Sequence, residues 1–136
     1  GTLGAIPPKM PKQVKLACNG PVSTIHLLSG ISGWGYPATP KGSVSMIVRL
    51  HYADGKTEDH PLKNGEVFAD YIGKVEVPDS VYAFPLRSQQ IRYLTVRPKR
   101  PTDIIKDIEF VKGSDATSPI VMAVTIEGAE SKDKPQ

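Results

Sequence analysis

An all-β sandwich is the fold this sequence predicts, on three observations. Through residues 43–53, Val44, Met46, Val48, Leu50 and Tyr52 interleave with Ser45, Ile47, Arg49 and His51, the period-two pattern of a strand with one buried face. Turn residues recur at short intervals, Asp54-Gly55 and Asn64-Gly65 most clearly, and these types tolerate the positive φ that tight turns need. Between the turns lie runs rich in β-branched and aromatic residues, such as Ile91-Arg92-Tyr93-Leu94-Thr95-Val96. Many short strands separated by turn signals define a sandwich or barrel.

In chain order, residues 1–13 hold three prolines and no apolar period and read as an extended arm or linker. Residues 14–17 start the sheet and 24–28 form a second apolar run. Residues 43–53 are the clearest strand. Residues 57–62 return from the Asp54-Gly55 turn, and Pro61 marks that segment as an edge strand or a strand terminus. A single helical turn is allowed around 66–72. Further strands are expected at 74–77, 81–86, 91–96, 104–111 and 120–126. Ile105, Ile108 and Val111 sit at helical spacing. Their β-branched content and position between turns favour a strand there. The module is expected to span 14–127, followed by a polar tail over 128–136. No repeat at solenoid or propeller period occurs.

The chain of 136 residues is one domain's length and can bury about two thirds of its unfolded surface, so it needs no disulfide or metal to fold. Its one cysteine, Cys18, excludes an internal disulfide and a multi-cysteine zinc site. No apolar run is long enough for a membrane span, and the first residues lack the apolar core of a secretory signal. Basic residues number 17 against 14 acidic, and Lys9, Lys12 and Lys15 near the start account for the difference. The body is balanced and shows no basic stripe, so nucleic acid is not an expected partner.

The loop Ser32-Gly33-Trp34-Gly35-Tyr36-Pro37 carries the only Trp. Flanking glycines leave both rings free to meet a ligand, and an indole can stack on the apolar face of a sugar. Packing into one end of the core is the competing role. Asp70-Tyr71 is a second loop pair of polar and aromatic character. Trp34, Tyr36, Asp70 and Tyr71 are therefore the candidate ligand-binding residues. Asp54 is explained by its turn. Asp54, Asp59 and Asp70 are oxygen donors of the kind Ca²⁺ draws on, but nothing supports a Ca²⁺ site and no cofactor is expected. Asp59 and His60 are adjacent, so a regular strand points them to opposite faces and they cannot chelate one ion. His26, His51 and His60 show no zinc spacing with cysteine. Ser29, Ser32 and Ser43 lack a nucleophile-elbow context. Gly30-Ile31-Ser32-Gly33 has no phosphate-loop lysine. No catalytic set is visible, so the chain is not expected to be an enzyme. Arg87, Arg92, Arg97 and Arg100 can hold a carboxylate through paired N–H groups, but read first as a solvated face paired with acids.

The runs IHLLSGISGWG and VRLHYADGKTEDHPLKNGEVFADY, with the later YLTVRPKRPTDIIKDIEFVKGSDATSPIVMAVTIE, resemble a galactose-binding-like, jelly-roll carbohydrate-binding module. Such modules occur at the C-termini of large planctomycete and other bacterial extracytoplasmic proteins that also carry dehydrogenase-like β-propeller and haem domains. The resemblance covers about residues 14–127. It implies a jelly-roll β-sandwich in a periplasmic or cell-surface setting, acting as a non-catalytic accessory module. Its partner would be a glycan at the rim-loop aromatics or the neighbouring domains of a larger exported enzyme. The Cys-x-x-Cys-His haem-attachment motif of those proteins is absent, so the resemblance assigns no haem to this segment.

Overall fold

A computed structural model of the chain describes residues 13–32, 42–69, 77–86, 89–115 and 117–129. The described residues contain no helix. They form eight strands: β1 (Gln13–Gly20), β2 (Val22–Ser32), β3 (Val44–Tyr52), β4 (Thr57–Lys63), β5 (Val81–Leu86), β6 (Gln89–Val96), β7 (Ile105–Lys112) and β8 (Ser118–Gly128). Two four-stranded antiparallel sheets result, one ordered β1-β7-β3-β4 and the other β5-β6-β2-β8. Of the expected strand at 74–77 only Val77 is described, and of the turn expected at 66–72 only residues 66–69 are. Val77 is buried but belongs to no strand, and residues 65–67 form a turn.

The core lies between the sheets because each sheet turns one apolar face inward. From β3 come Met46, Val48, Leu50 and Tyr52, all nearly or fully buried, while Arg49 and His51 face outward. Ile25, Leu27 and Ile31 of β2 and Leu94 and Val96 of β6 meet them from the other sheet. Fully burying a side chain of this kind contributes about 1.5–3 kcal/mol. The alternation of β3 fails at its start. The pairing with β4 shifts between Val44 and Met46, which leaves Val44 half-buried and buries Ser45 completely. Ser45 is satisfied there by donating to Asp115 Oδ2 at 2.6 Å.

A β-bulge explains the helical spacing in β7. His51 pairs with Asp107 and Tyr52 with Ile105, so Lys106 is an extra residue in that strand. The extra residue brings Ile105 and Ile108 to the same inward face. Phe110 continues that face and Val111 turns away from it, half-buried.

The turns follow their chemistry. Gly55 and Gly65 adopt φ of 90° and 85°, which favours glycine. Asp54 Oδ1 accepts from the Lys56 N–H at 3.0 Å, closing the β3–β4 turn from its own side chain. Every proline inside a strand, Pro61, Pro85 and Pro119, lies on an edge strand, where a missing N–H breaks no ladder. Gly30 and Gly113 answer to space. A Cβ on Gly30 would come within 2.4 Å of the Gln90 carbonyl oxygen, and one on Gly113 within 2.1 Å of the Val44 carbonyl oxygen.

Two outcomes follow from this packing. Leu50→Ala should cost about 2–5 kcal/mol of unfolding free energy in urea, whereas Lys106→Ala on the same pair of strands should cost under about 0.5 kcal/mol. Gly113→Ala should destabilise by about 1–3 kcal/mol through overpacking; unchanged stability would show that Val44 does not lie where the sheet places it.

Candidate functional site

The residues singled out in the sequence as ligand contacts, Trp34, Tyr36, Asp70 and Tyr71, lie outside the described residues, as does Arg87. The structure brings a different set together. Between the open edge of β4 and the upper half of β6 lies a cleft of about 380 Å³. Its floor is apolar, made by Leu62, Val67, Leu94 and Val96. Its rim is polar and carries both signs of charge, from Asp59, His60, Asp79, Thr95, Arg97 and Lys99.

The strand plan creates this opening. β5 pairs with β6 only up to Val81 opposite Tyr93, so among the described residues β6 has no strand neighbour on that side from Leu94 onward. β4 is the edge strand of the other sheet. Two strand edges therefore border the cleft, and the turn through Val67 and the approach to β5 at Asp79 close one side. The Asp79 N–H donates to the Glu66 carbonyl at 2.7 Å, fixing those two segments together.

β4 contributes polar groups where a core strand would be apolar. Glu58, His60 and Leu62 share its inward face by strand period, but only Leu62 is apolar. Glu58 has a nearly buried side chain. Its carboxylate accepts from the Tyr52 hydroxyl at 2.7 Å and from the Lys99 N–H at 3.0 Å, and it pairs with His60 Nε2. Burial alone pushes this carboxyl up, but the Lys99 N–H, Tyr52 and His60 outweigh burial and hold it below its ordinary value. The Tyr52 hydroxyl is pushed up, first by burial and then by Glu58. Arg100 lies over the Tyr52 ring, 4.1 Å from its centre, and reaches Asp54 at 2.8 Å and Asp103 at 2.7 Å. Glu58 thus fastens the β6–β7 connection, and with it Lys99, to the mouth of the cleft.

The four arginines considered as anion holders separate. Arg100 is paired with acids as expected. Arg97 borders the cleft at the end of β6, but its guanidinium lies on the outer face of the sheet and donates to Thr24 Oγ1 at 3.2 Å. Arg92 corrects the expectation of a solvated face: it is fully buried on the inward face of β6, donating to Ser80 Oγ at 2.5 Å, the Ser80 carbonyl at 3.3 Å and Gln90 Oε1 at 3.0 Å. A charge in that position needs such bonds to offset lost hydration. Each histidine meets a glutamate: His26 with Glu127, His51 with Glu109 and His60 with Glu58. Ser29 donates to the Ile120 carbonyl and Ser43 to Asp115, so neither is joined to a histidine.

A second surface feature lies on the outer face of the β5-β6-β2-β8 sheet. The rings of Tyr93 and His26 stack with centres 5.9 Å apart. The Tyr93 hydroxyl and His26 Nδ1 are 2.7 Å apart, and His26 Nε2 lies 3.2 Å from Glu127 Oε1. Among the described residues, no group of three or more His, Cys, Asp or Glu side chains is placed to hold a metal ion. No described helix is long and apolar enough to cross a membrane.

The cleft was missed in the sequence because its parts come from β4, β6 and three connections. One signal was present: Glu58 and His60 occupy the inward register of β4, and polar residues in an inward register mark an interior that something besides the core must satisfy.

This fold and cleft define a class: an all-β protein of two packed antiparallel sheets with a polar-rimmed cleft at one long side. No family model, curated protein or solved structure matches the chain.

The Glu58 arrangement predicts a pH dependence. A carboxyl held below its ordinary 4.5 in the folded state adds stability that is complete above that value and is lost as pH falls through the lower folded value. Glu58→Gln should therefore destabilise at pH 7, by about 1–3 kcal/mol for a buried charge-assisted hydrogen-bond set. The gap to the parent protein should narrow as pH falls below 4.5. Urea titrations at pH 7 and pH 3 measure both.

Proposed function

We propose that this chain is a non-catalytic accessory module that binds glycan. The observation that carries the reading is the cleft: an apolar floor beneath a rim of acceptors and donors, bordered by two strand edges. A sugar ring has an apolar face and hydroxyls that both donate and accept, and this lining offers partners for each. The volume of about 380 Å³ is near the low end of small-molecule sites, roughly 300–1,000 Å³, and suits a mono- or disaccharide. The rim-loop aromatics Trp34 and Tyr36, with Asp70 and Tyr71, are the other candidate contacts. The resemblance noted in the sequence and the distribution of strands over two sheets support a jelly-roll, galactose-binding-like arrangement and an extracytoplasmic setting. No haem, metal or nucleic acid enters this reading.

A second reading, a docking module for neighbouring domains of a larger exported protein, rests on the opposite long side. Val14 and Leu16 of β1 pair with Phe110 and Ile108 and so face inward, yet are 46% and 38% exposed. Ile126 of the β8 edge pairs with buried Ile25 and is 38% exposed. Apolar groups in the inward register but open to solvent favour a covering partner.

A glycan array separates the two. Glycan binding should appear with a Kd of about 10⁻³ to 10⁻⁵ M, since a shallow site gains little beyond a few contacts. Trp34→Ala then locates it: loss of binding with an unchanged circular dichroism spectrum assigns the rim loop, and retained binding assigns the cleft. An array with no binder at millimolar protein would leave the docking reading in its place.

A further inference from the structure

We infer that Asn19 is a site of spontaneous modification, where the carboxamide is lost as ammonia and an acid takes its place; the inference is independent of both readings above. The chain has two asparagines, Asn19 and Asn64, and a glycine follows each. Glycine obstructs least the attack of its own amide nitrogen on the preceding side chain, because it has no Cβ. The two dipeptides are therefore alike in chemistry, and their surroundings in the fold decide which one reacts.

Asn19 lies near the end of β1, in the bulge where pairing with β7 jumps from Ala17–Asp107 to Gly20–Ile105. β1 is an edge strand, and Asn19 is exposed. Its φ of 57° is in the left-handed region, which asparagine visits more readily than most residues. Among the described residues its carboxamide has no hydrogen-bond partner. A Cβ on Gly20 would meet no atom within 4 Å, so a ring has room to close there. Asn64 has the opposite surroundings. It is fully buried. Its N–H donates to the Ser43 carbonyl and its carbonyl accepts from the Gly42 N–H, both at 2.8 Å. The nitrogen that would attack, that of Gly65, donates to the Phe68 carbonyl at 2.8 Å. The related dipeptide Asp54-Gly55 is guarded differently. Its carboxylate accepts from the Lys56 N–H and from Arg100 and is held ionised by them, and an anion resists attack by nitrogen.

The reaction needs only water. Hydroxide takes the Gly20 amide proton, and the nitrogen attacks Asn19 Cγ. The N–Cγ bond forms and the Cγ–Nδ2 bond breaks. The leaving nitrogen takes a proton from water, which restores the hydroxide and releases ammonia. Water then opens the succinimide. Breaking the N–Cγ bond leaves aspartate. Breaking the bond from nitrogen to the Asn19 main-chain carbon leaves isoaspartate, with the backbone rerouted through Cβ and Cγ. A bulge already holds an extra residue, so the longer backbone is absorbed there. The product puts an acid on β1, the strand whose Val14 and Leu16 stand open to solvent.

The test incubates the folded chain at mildly alkaline pH in heavy-oxygen water. Peptide mass spectrometry then reads the incorporated oxygen separately at Asn19 and Asn64. Asn19 should convert at least about tenfold faster, because reaction at Asn64 waits for local opening. In guanidinium chloride, where neither site is shielded, the difference should vanish. Gly20→Ala fits the fold, since Gly20 has no positive φ and open space beside it. It should abolish conversion at Asn19 over the same interval, while the circular dichroism spectrum and conversion at Asn64 stay as in the parent. Asn64 converting as fast as Asn19 in the folded chain, conversion of Asn19 only in guanidinium chloride, or conversion undiminished by Gly20→Ala would each overturn the inference.

Discussion

The pairing register of β3 sets how its own sheet is built and which side chains reach the facing one. Its inward residues, Met46, Val48, Leu50 and Tyr52, fill the middle of the core. A slip of one residue would turn Arg49 and His51 inward and put Val48 and Leu50 in water. That penalty fixes β3 against β4 on one side and β7 on the other, and both neighbours adjust to it. β7 spends an extra residue at Lys106 to keep Ile105 and Ile108 facing the same way. β3 itself slips at Val44, and the resulting buried hydroxyl of Ser45 is taken up by Asp115. Asp115 also accepts from Ser43 and from the hydroxyl and N–H of Thr117. Burial pushes its carboxyl up, but these donors hold it below its ordinary value, so the start of β3 and the β7–β8 connection are joined through one ionised group.

The interior is apolar in its middle and polar in two places, and each polar place has its own reason. On β6 the inward positions run from Gln90 and Arg92 to Leu94 and Val96. Arg92 donates to Gln90 and to Ser80, and Ser80 in turn donates to the Val67 carbonyl at 2.5 Å. On β4 the inward positions run from Glu58 and His60 to Leu62. A buried polar group costs free energy unless it is bonded, and both clusters meet that condition with partners from other elements. The consequence is mechanical as well as energetic. Arg92 binds the start of β5 to the sheet, and Glu58 binds the β6–β7 connection to β4. Between those two fastenings the sheets do not close, and the cleft remains.

The three histidines illustrate how a sheet handles titratable groups. Each lies on a different strand, and each is matched to a glutamate. His51 and Glu109 pair across the outer face at 2.7 Å, with Glu109 nearly buried beneath its neighbours. His26 bridges β6 and β8 through Tyr93 and Glu127. Spacing along the chain gives no hint of the partners of His26 and His51, because cross-strand pairs unite residues far apart in sequence, whereas His60 and Glu58 are neighbours on one face of β4.

The all-β, two-sheet class and much of the local detail are legible in the residues alone. Strict alternation placed the inward face of β3. Asp54-Gly55 and Asn64-Gly65 announced their turns, and Pro61 marked its segment as an edge strand or a strand terminus, of which the sheet order gives the edge. These are local properties: side-chain period, allowed φ and the missing proline N–H act within a few residues. Packing of the two sheets settles which strands are neighbours, that Ile105 and Ile108 share a face through a bulge, that Arg92 is buried, and that a cleft opens between β4 and β6. Each depends on contacts between distant segments, whose geometry is set by how two sheets pack. Arg92 shows the difference most plainly. Its neighbours Ile91 and Tyr93 give it a strand, but whether a strand position is core or surface is settled by the facing sheet.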